Sequence, residues 1–116
     1  MYANAAILIA VALNVLALVY KFFPPQKINK YYGYHMKSSM RNDDTWNEAN
    51  SYASRLLTLL SIVFLVAALL ASNKPDFNAW ALAAFAVVLI GSCAFIYFLT
   101  ERHMKNVFDE EGKRKR

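Results

Sequence analysis

At 116 residues the chain has room for one domain, and a composition that is 58% apolar and 15% aromatic excludes an ordinary soluble globular protein. The net charge of +5 needs no nucleic-acid partner, because the basic residues flank apolar runs and so read as topology signals in a bilayer. The single cysteine, Cys93, excludes an intrachain disulfide and leaves the redox compartment open.

Residues 1–20, 56–73 and 77–100 carry no charged side chain, giving uncharged runs of 20, 18 and 24 residues. At about 1.5 Å rise per residue, each approaches or exceeds the roughly 30 Å hydrocarbon core of a bilayer. Lipid offers no hydrogen-bond partners, so each run is expected to be a helix that pairs its own backbone groups. The expectation is an all-α membrane protein with three transmembrane helices in a single domain over 1–116. Its parts are a first span at about 2–23, a cytoplasmic loop at 24–52, a second span at about 53–72, a third at about 77–99 and a basic cytoplasmic tail at 100–116.

The first run, which includes "ILIAVALNVLALVY", has no polar stripe of the kind a soluble amphipathic helix needs. It lacks a basic leader and a small-residue cleavage site, so it is expected to stay as an anchor, stopped by Pro24 and Pro25. Between Pro24 and Arg41, the Pro pair, Gly33 and a tyrosine cluster suggest an irregular segment against the headgroups, with Lys27, Lys30, Lys37 and Arg41 toward phosphates. Asn42 or Asp43 then reads as a helix N-cap, followed by Asp43, Asp44 and Glu48 at the positive end of the dipole. No Gly or Pro interrupts the chain from there to Asn73, so the second helix is expected to start in the cytoplasm and run unbroken into the membrane. Trp46, Asn50, Ala53, Leu57, Leu60 and Phe64 recur at three- and four-residue intervals, which places the Trp and Asn on the apolar packing stripe.

"SNKPDFNAW" predicts a tight outer hairpin, with Asp76 or Asn78 capping the third helix. Six Lys and Arg residues lie in 21–55 and six after residue 100, against one, Lys74, in the hairpin. This bias predicts the N-terminus outside and the C-terminus in the cytoplasm. Asn14 is expected to bond across helices to Thr58 or Ser61, and no intramembrane ionisable group suggests transport. No phosphate loop, Cys-x-x-Cys, His-Glu-x-x-His or nucleophile elbow occurs, so no enzyme, cofactor or metal is expected. His35 and His103, near Asp43, Asp44 or Glu101, are too loosely spaced to point to a metal and read as surface histidines.

One motif is more specific. Asn29, Gly33-Tyr34, Ser39-Met40-Arg41-Asn42, Asp44-Thr45-Trp46 and Ala49-Asn50 resemble the signature of the SdpI family of bacterial membrane proteins, which runs approximately N, G-Y-R-T, S-M-K-N, E-T-W, A-N. His35 and Met36 stand where the family usually has Arg and Thr, which puts any role of that pair in doubt here. The match covers about 22 residues of the loop, the three-helix layout on either side agrees with the family's core domain, and the additional N-terminal membrane domain of longer members is not expected here. The resemblance implies immunity to a membrane-active peptide toxin, and in some members capture of a small repressor at the membrane. Within that reading Trp46 is the apolar anchor, Asn29 and Asn50 are polar braces, and Gly33 is a point of close backbone approach.

The expected function is therefore non-enzymatic, with the lipid bilayer, a peptide toxin, a small cytoplasmic repressor and a second copy of the chain as partners, and no direct nucleic-acid contact. A homo-oligomer enters because Gly91-Ser92-Cys93-Ala94 permit close helix approach. The alternatives are a holin-like pore former, which should kill when overproduced, and a membrane subunit that scaffolds a larger complex. The elaborate insert favours immunity over a pore.

Overall fold

The computed structural model describes residues 2–29 and 31–115. Among these, three helices follow in chain order: α1 (Tyr2–Phe22), α2 (Asp43–Ala71) and α3 (Ala79–Val107). They form a rod of 54 × 23 × 22 Å. Each helix is long and apolar enough to cross a membrane. Large apolar side chains such as Leu8, Leu16, Val87 and Ile90 face outward along the rod, whereas a soluble protein would turn such residues inward.

Local chemistry sets the helix ends. α1 stops at Phe22, just ahead of Pro24 and Pro25, which cannot continue the hydrogen-bond ladder. α2 opens with a reciprocal capping box in which Asn42 Oδ1 accepts from the Thr45 backbone N–H at 2.8 Å and Thr45 Oγ1 accepts from the Asn42 N–H at 3.1 Å. Asp43 and Asp44 sit in its first turn, where a negative charge complements the dipole. At the hairpin end Asn78, rather than Asp76, caps α3 by accepting from the Ala81 N–H at 3.0 Å.

α2 is the central helix and packs most extensively on α1. Ala6 and Ala10 of α1 meet Ala68 of α2 in a fully buried cluster, where the small side chains let the two helices approach closely. Asn14 Nδ2 donates to Ser61 Oγ at 3.1 Å, a cross-helix bond worth about 0.6–2 kcal/mol in a membrane setting. Phe64 and Phe85 meet edge to face and tie α2 to α3. No residue in the most apolar stretch of α3 is fully buried by the other helices.

α3 also runs beyond the expected third span, to Val107. Residues 100–107 contain no Gly or Pro, and Thr100 and Met104, one turn apart, are both buried. Met104 and Phe108 join Tyr34, Ala49 and Ala53 in a second core cluster at the loop end of the rod. The tail beyond it is folded rather than a plain charged extension. Phe108 pairs with Arg114 in an antiparallel bridge, and the chain reverses through Gly112 at φ +80.

Candidate functional site

The motif loop and the first turns of α2 are knitted into one unit at the loop end. Trp46 is completely buried, and its indole N–H donates to the Pro25 carbonyl at 2.7 Å, fixing the chain as it leaves α1. One turn later Asn50, also buried, uses both ends of its amide. Its Oδ1 accepts from the Tyr34 N–H at 2.7 Å and from the Tyr20 hydroxyl, while its Nδ2 donates to the Trp46 carbonyl at 2.8 Å. Asn50 thereby joins α1, the loop and α2.

Gly33 fits between them because it has no side chain. Its φ is +117, and a Cβ there would lie 2.8 Å from Asn50 Oδ1, 2.8 Å from Pro25 Cγ and 2.9 Å from Trp46 Cζ2. Tyr34, the next residue, inserts its ring beside Tyr97 of α3 at 5.1 Å between centroids. Its hydroxyl donates to Glu101 Oε1 at 2.7 Å, and Ser38 donates to the same oxygen at 2.6 Å. Burial, and then the Glu101 carboxylate, push the Tyr34 phenol far above its ordinary range, so it stays a donor at any physiological pH.

The remaining motif residues brace this turn or face the tail. Asn29 Oδ1 accepts from the Tyr31 and Tyr32 N–H groups at 2.9 and 2.7 Å, closing a local turn. Buried Ser39 donates to the Tyr34 carbonyl at 2.7 Å, and Thr45 donates to the Ser39 carbonyl at 3.0 Å. Met40 is exposed and held only through its backbone, by a bond to the Met36 carbonyl. Arg41 donates to the Asp109 carbonyl at 2.9 Å, Asn42 Nδ2 to the Gly112 carbonyl at 2.9 Å, and Asp44 binds the Arg114 guanidinium. Lys30, expected near phosphates, lies outside the described residues.

Under the loop lies a recess of about 290 Å³ between α1 and α3. Tyr20, Tyr32, Gly33, Tyr34, Leu57 and Tyr97 supply most of its wall. Among the described residues every buried side-chain nitrogen and oxygen has a partner, so the recess presents ring faces and aliphatic groups rather than unmet hydrogen bonds. A second, more apolar groove of about 560 Å³ runs along the other side of the α2–α3 seam, past Leu60, Val88, Gly91 and Phe95.

The two histidines serve separate clusters. His35 Nε2 contacts the Asn29 carbonyl at 2.6 Å and its ring leans on Trp46. His103 Nε2 meets Glu48 Oε2 at 2.9 Å, and its ring stacks on Tyr52 at 4.0 Å. The His103 bond, together with Arg114, holds the Glu48 carboxyl below its ordinary range against some loss of solvent. Among the described residues, no three His, Cys, Asp or Glu side chains gather as a metal site would require.

Several partners were not singled out by sequence. Pro25, Tyr20 and Glu101 hold the motif, and Phe108, Gly112 and Arg114 hold its far edge. Glu101 carried a signal, as the first charge after the longest uncharged run. Comparison with known proteins gives the arrangement a context. A profile of the SdpI/YfhL protein family matches residues 26–99, which contain the whole motif loop, α2 and most of α3. "Uncharacterized protein YfhL" of Bacillus subtilis (strain 168) is 33% identical over 98 residues, covering 84% of this chain and 84% of the relative. No solved structure matches the chain. Three helices able to span a bilayer and this match together support a multi-pass membrane protein. The profile match over most of the chain, with the identity to this relative, shows that the chain belongs to the SdpI/YfhL family.

Proposed function

We propose that the protein confers resistance to a membrane-active peptide toxin by binding it, without catalysis, in the bacterial inner membrane. The observation that carries this reading is the recess: motif residues Gly33 and Tyr34 line its loop side, and Asn50 anchors them from below. Its apolar and aromatic wall suits a side chain of an amphipathic peptide lying at the membrane interface. Trp46 and Asn50 are buried, so their part is to hold the Gly33–Tyr34 turn in place rather than to touch the toxin. The charge bias supports an orientation with the N-terminus outside and with the loop, the first turns of α2 and the tail in the cytoplasm. That orientation also leaves the loop side available to a small repressor.

Leu57→Trp, which fills the recess from α2, should lower survival of toxin-exposed cells while membrane abundance stays normal. Trp80→Ala, at the hairpin end, should leave protection intact. Protection that follows abundance alone in both variants would reject the recess as the contact. A scaffolding role is the second reading, because no residue in the most apolar stretch of α3 is fully buried and Gly91 has open space around it. Stable copurification of a second subunit through that face would favour it.

A further inference from the structure

We propose that the start of α2 is a receptor surface for a short arginine-bearing turn, and that the chain's own tail, Asp109–Lys115, occupies it as a displaceable clasp. The surface is built from three kinds of contact. Arg41 and the Asn42 amide donate to the tail carbonyls of Asp109 and Gly112, each at 2.9 Å, and so recognise the shape of the turn. Asp44 and Glu48 recognise its charge. The Arg114 fork reaches Asp44 at 2.8 and 2.9 Å and Glu48 at 3.0 Å, the bidentate geometry that favours Arg over Lys. Phe108, which caps the end of α3 and stays in the core at 4% exposure, supplies the apolar floor, with the Arg114 guanidinium 5.0 Å above its ring.

Gly112 sets how closely a turn must approach. At φ +80, a Cβ there would stand 3.0 Å from Asn42 Nδ2 and 3.2 Å from Arg41 Cδ. The ligand this surface selects is thus a glycine turn followed by an arginine. Asp109, Glu110 and Glu111 balance Lys113, Arg114 and Lys115, so selection falls on the Arg114 fork rather than on net charge. Asp109 uses its carboxylate to accept the Glu111 and Lys113 N–H groups, and Glu111 pairs with Lys113, so these acids shape the turn instead of opposing Asp44.

Two observations make the clasp displaceable rather than a fixed part of the core. The Arg114 and Asp44 side chains are each 50% exposed, and ion pairs so close to water contribute little to stability. The family match ends at residue 99, so Arg41, Asn42 and Asp44 belong to the family domain while the segment they hold lies beyond it. Tethering makes up for weak contacts, since a short linker gives an effective concentration on the order of millimolar. A free turn of this kind therefore competes poorly until the tail is released. This inference does not depend on toxin immunity.

The test uses the full-length protein in detergent micelles and a fluorescein-labelled peptide with the sequence of residues 109–116. Arg114→Glu places like charges against Asp44 and Glu48 and should release the tail. That variant should bind the peptide at least tenfold tighter than the parent. Raised salt should weaken binding, and adding Asp44→Asn with Glu48→Gln should abolish it. Equal or absent binding by parent and variant overturns the proposal, as does binding that survives loss of both carboxylates. Trp46 emission checks that the variant keeps its fold, and Arg114→Gln replaces it if that emission changes.

Discussion

Gly33→Ala tests the close packing on which the motif depends. The glycine adopts φ +117, where an L-residue is strained, and such backbone strain costs about 1–3 kcal/mol. The added methyl would also stand under 3.0 Å from Asn50 Oδ1, Pro25 Cγ and Trp46 Cζ2, and none of the three can withdraw freely. Asn50 is fixed by Tyr34 and Tyr20, and Trp46 and Pro25 by their mutual hydrogen bond. Overpacking of this kind costs about 1–3 kcal/mol more, so the total is about 2–6 kcal/mol, a large share of a domain's usual about 5–15 kcal/mol. Denaturant titration in micelles reads the loss through Trp46 emission in a Trp80→Phe background, which removes the exposed indole. Tyr31→Ala, at a side chain 94% exposed, should shift stability by no more than about 0.5 kcal/mol. A Gly33→Ala protein as stable as that control would refute the reasoning.

Asn42→Ala removes both the cap on Thr45 and the bond to Gly112, and should cost about 0.5–2 kcal/mol, seen as faster amide exchange at Thr45 and Trp46. Glu48 is held below its ordinary carboxyl value of 4.5, so its stabilising contribution is complete above that pH and is lost as the pH falls through the lower folded value. Stability measured from pH 6 down to pH 3 should therefore decline, and Glu48→Gln should flatten the decline; an unchanged slope would remove Glu48 from the account. In a Cys93→Ser background, an impermeant thiol reagent applied to intact cells should label Asn73→Cys and miss Ser38→Cys, and the reverse would overturn the orientation drawn from charge.

The three helices were legible because charge-free runs of this length have few other solutions in a single chain. The Asn42 cap and the Asn14–Ser61 bond were also legible, since helix phase and local capping chemistry fix their reach. Helical spacing correctly set Trp46 and Asn50 on the packing stripe, and both are buried there. What they bond to was not legible. Pro25, Tyr34 and Tyr20 reach them through an irregular segment whose path no periodicity describes. The tail was hidden for a different reason. Its composition is dominated by charge, and only the apolar pair Met104 and Phe108, four apart, marks it as packed.

The length of the insert follows from the unequal lengths of the helices it joins. α2 has 29 residues against 21 in α1, which at about 1.5 Å per residue makes it longer by roughly 12 Å. The first turns of α2 therefore reach past the end of α1, which meets them through Tyr20 at Asn50, and their polar sequence would not hold a helix without neighbours of another kind. The insert supplies one, covering Trp46 and Asn50 with Pro25 and the Gly33–Tyr34 turn. Asp44 and Glu48 lie about 200° around the helix from Trp46, and there the tail and His103 supply the other. A bonded series through Asn42, Thr45, Ser39 and Tyr34 connects the two sides, from the Gly112 carbonyl to the Asn50 amide. A turn just long enough to join the spans would leave Trp46 uncovered, and with it the backbone of the first helical turns that the loop now shields.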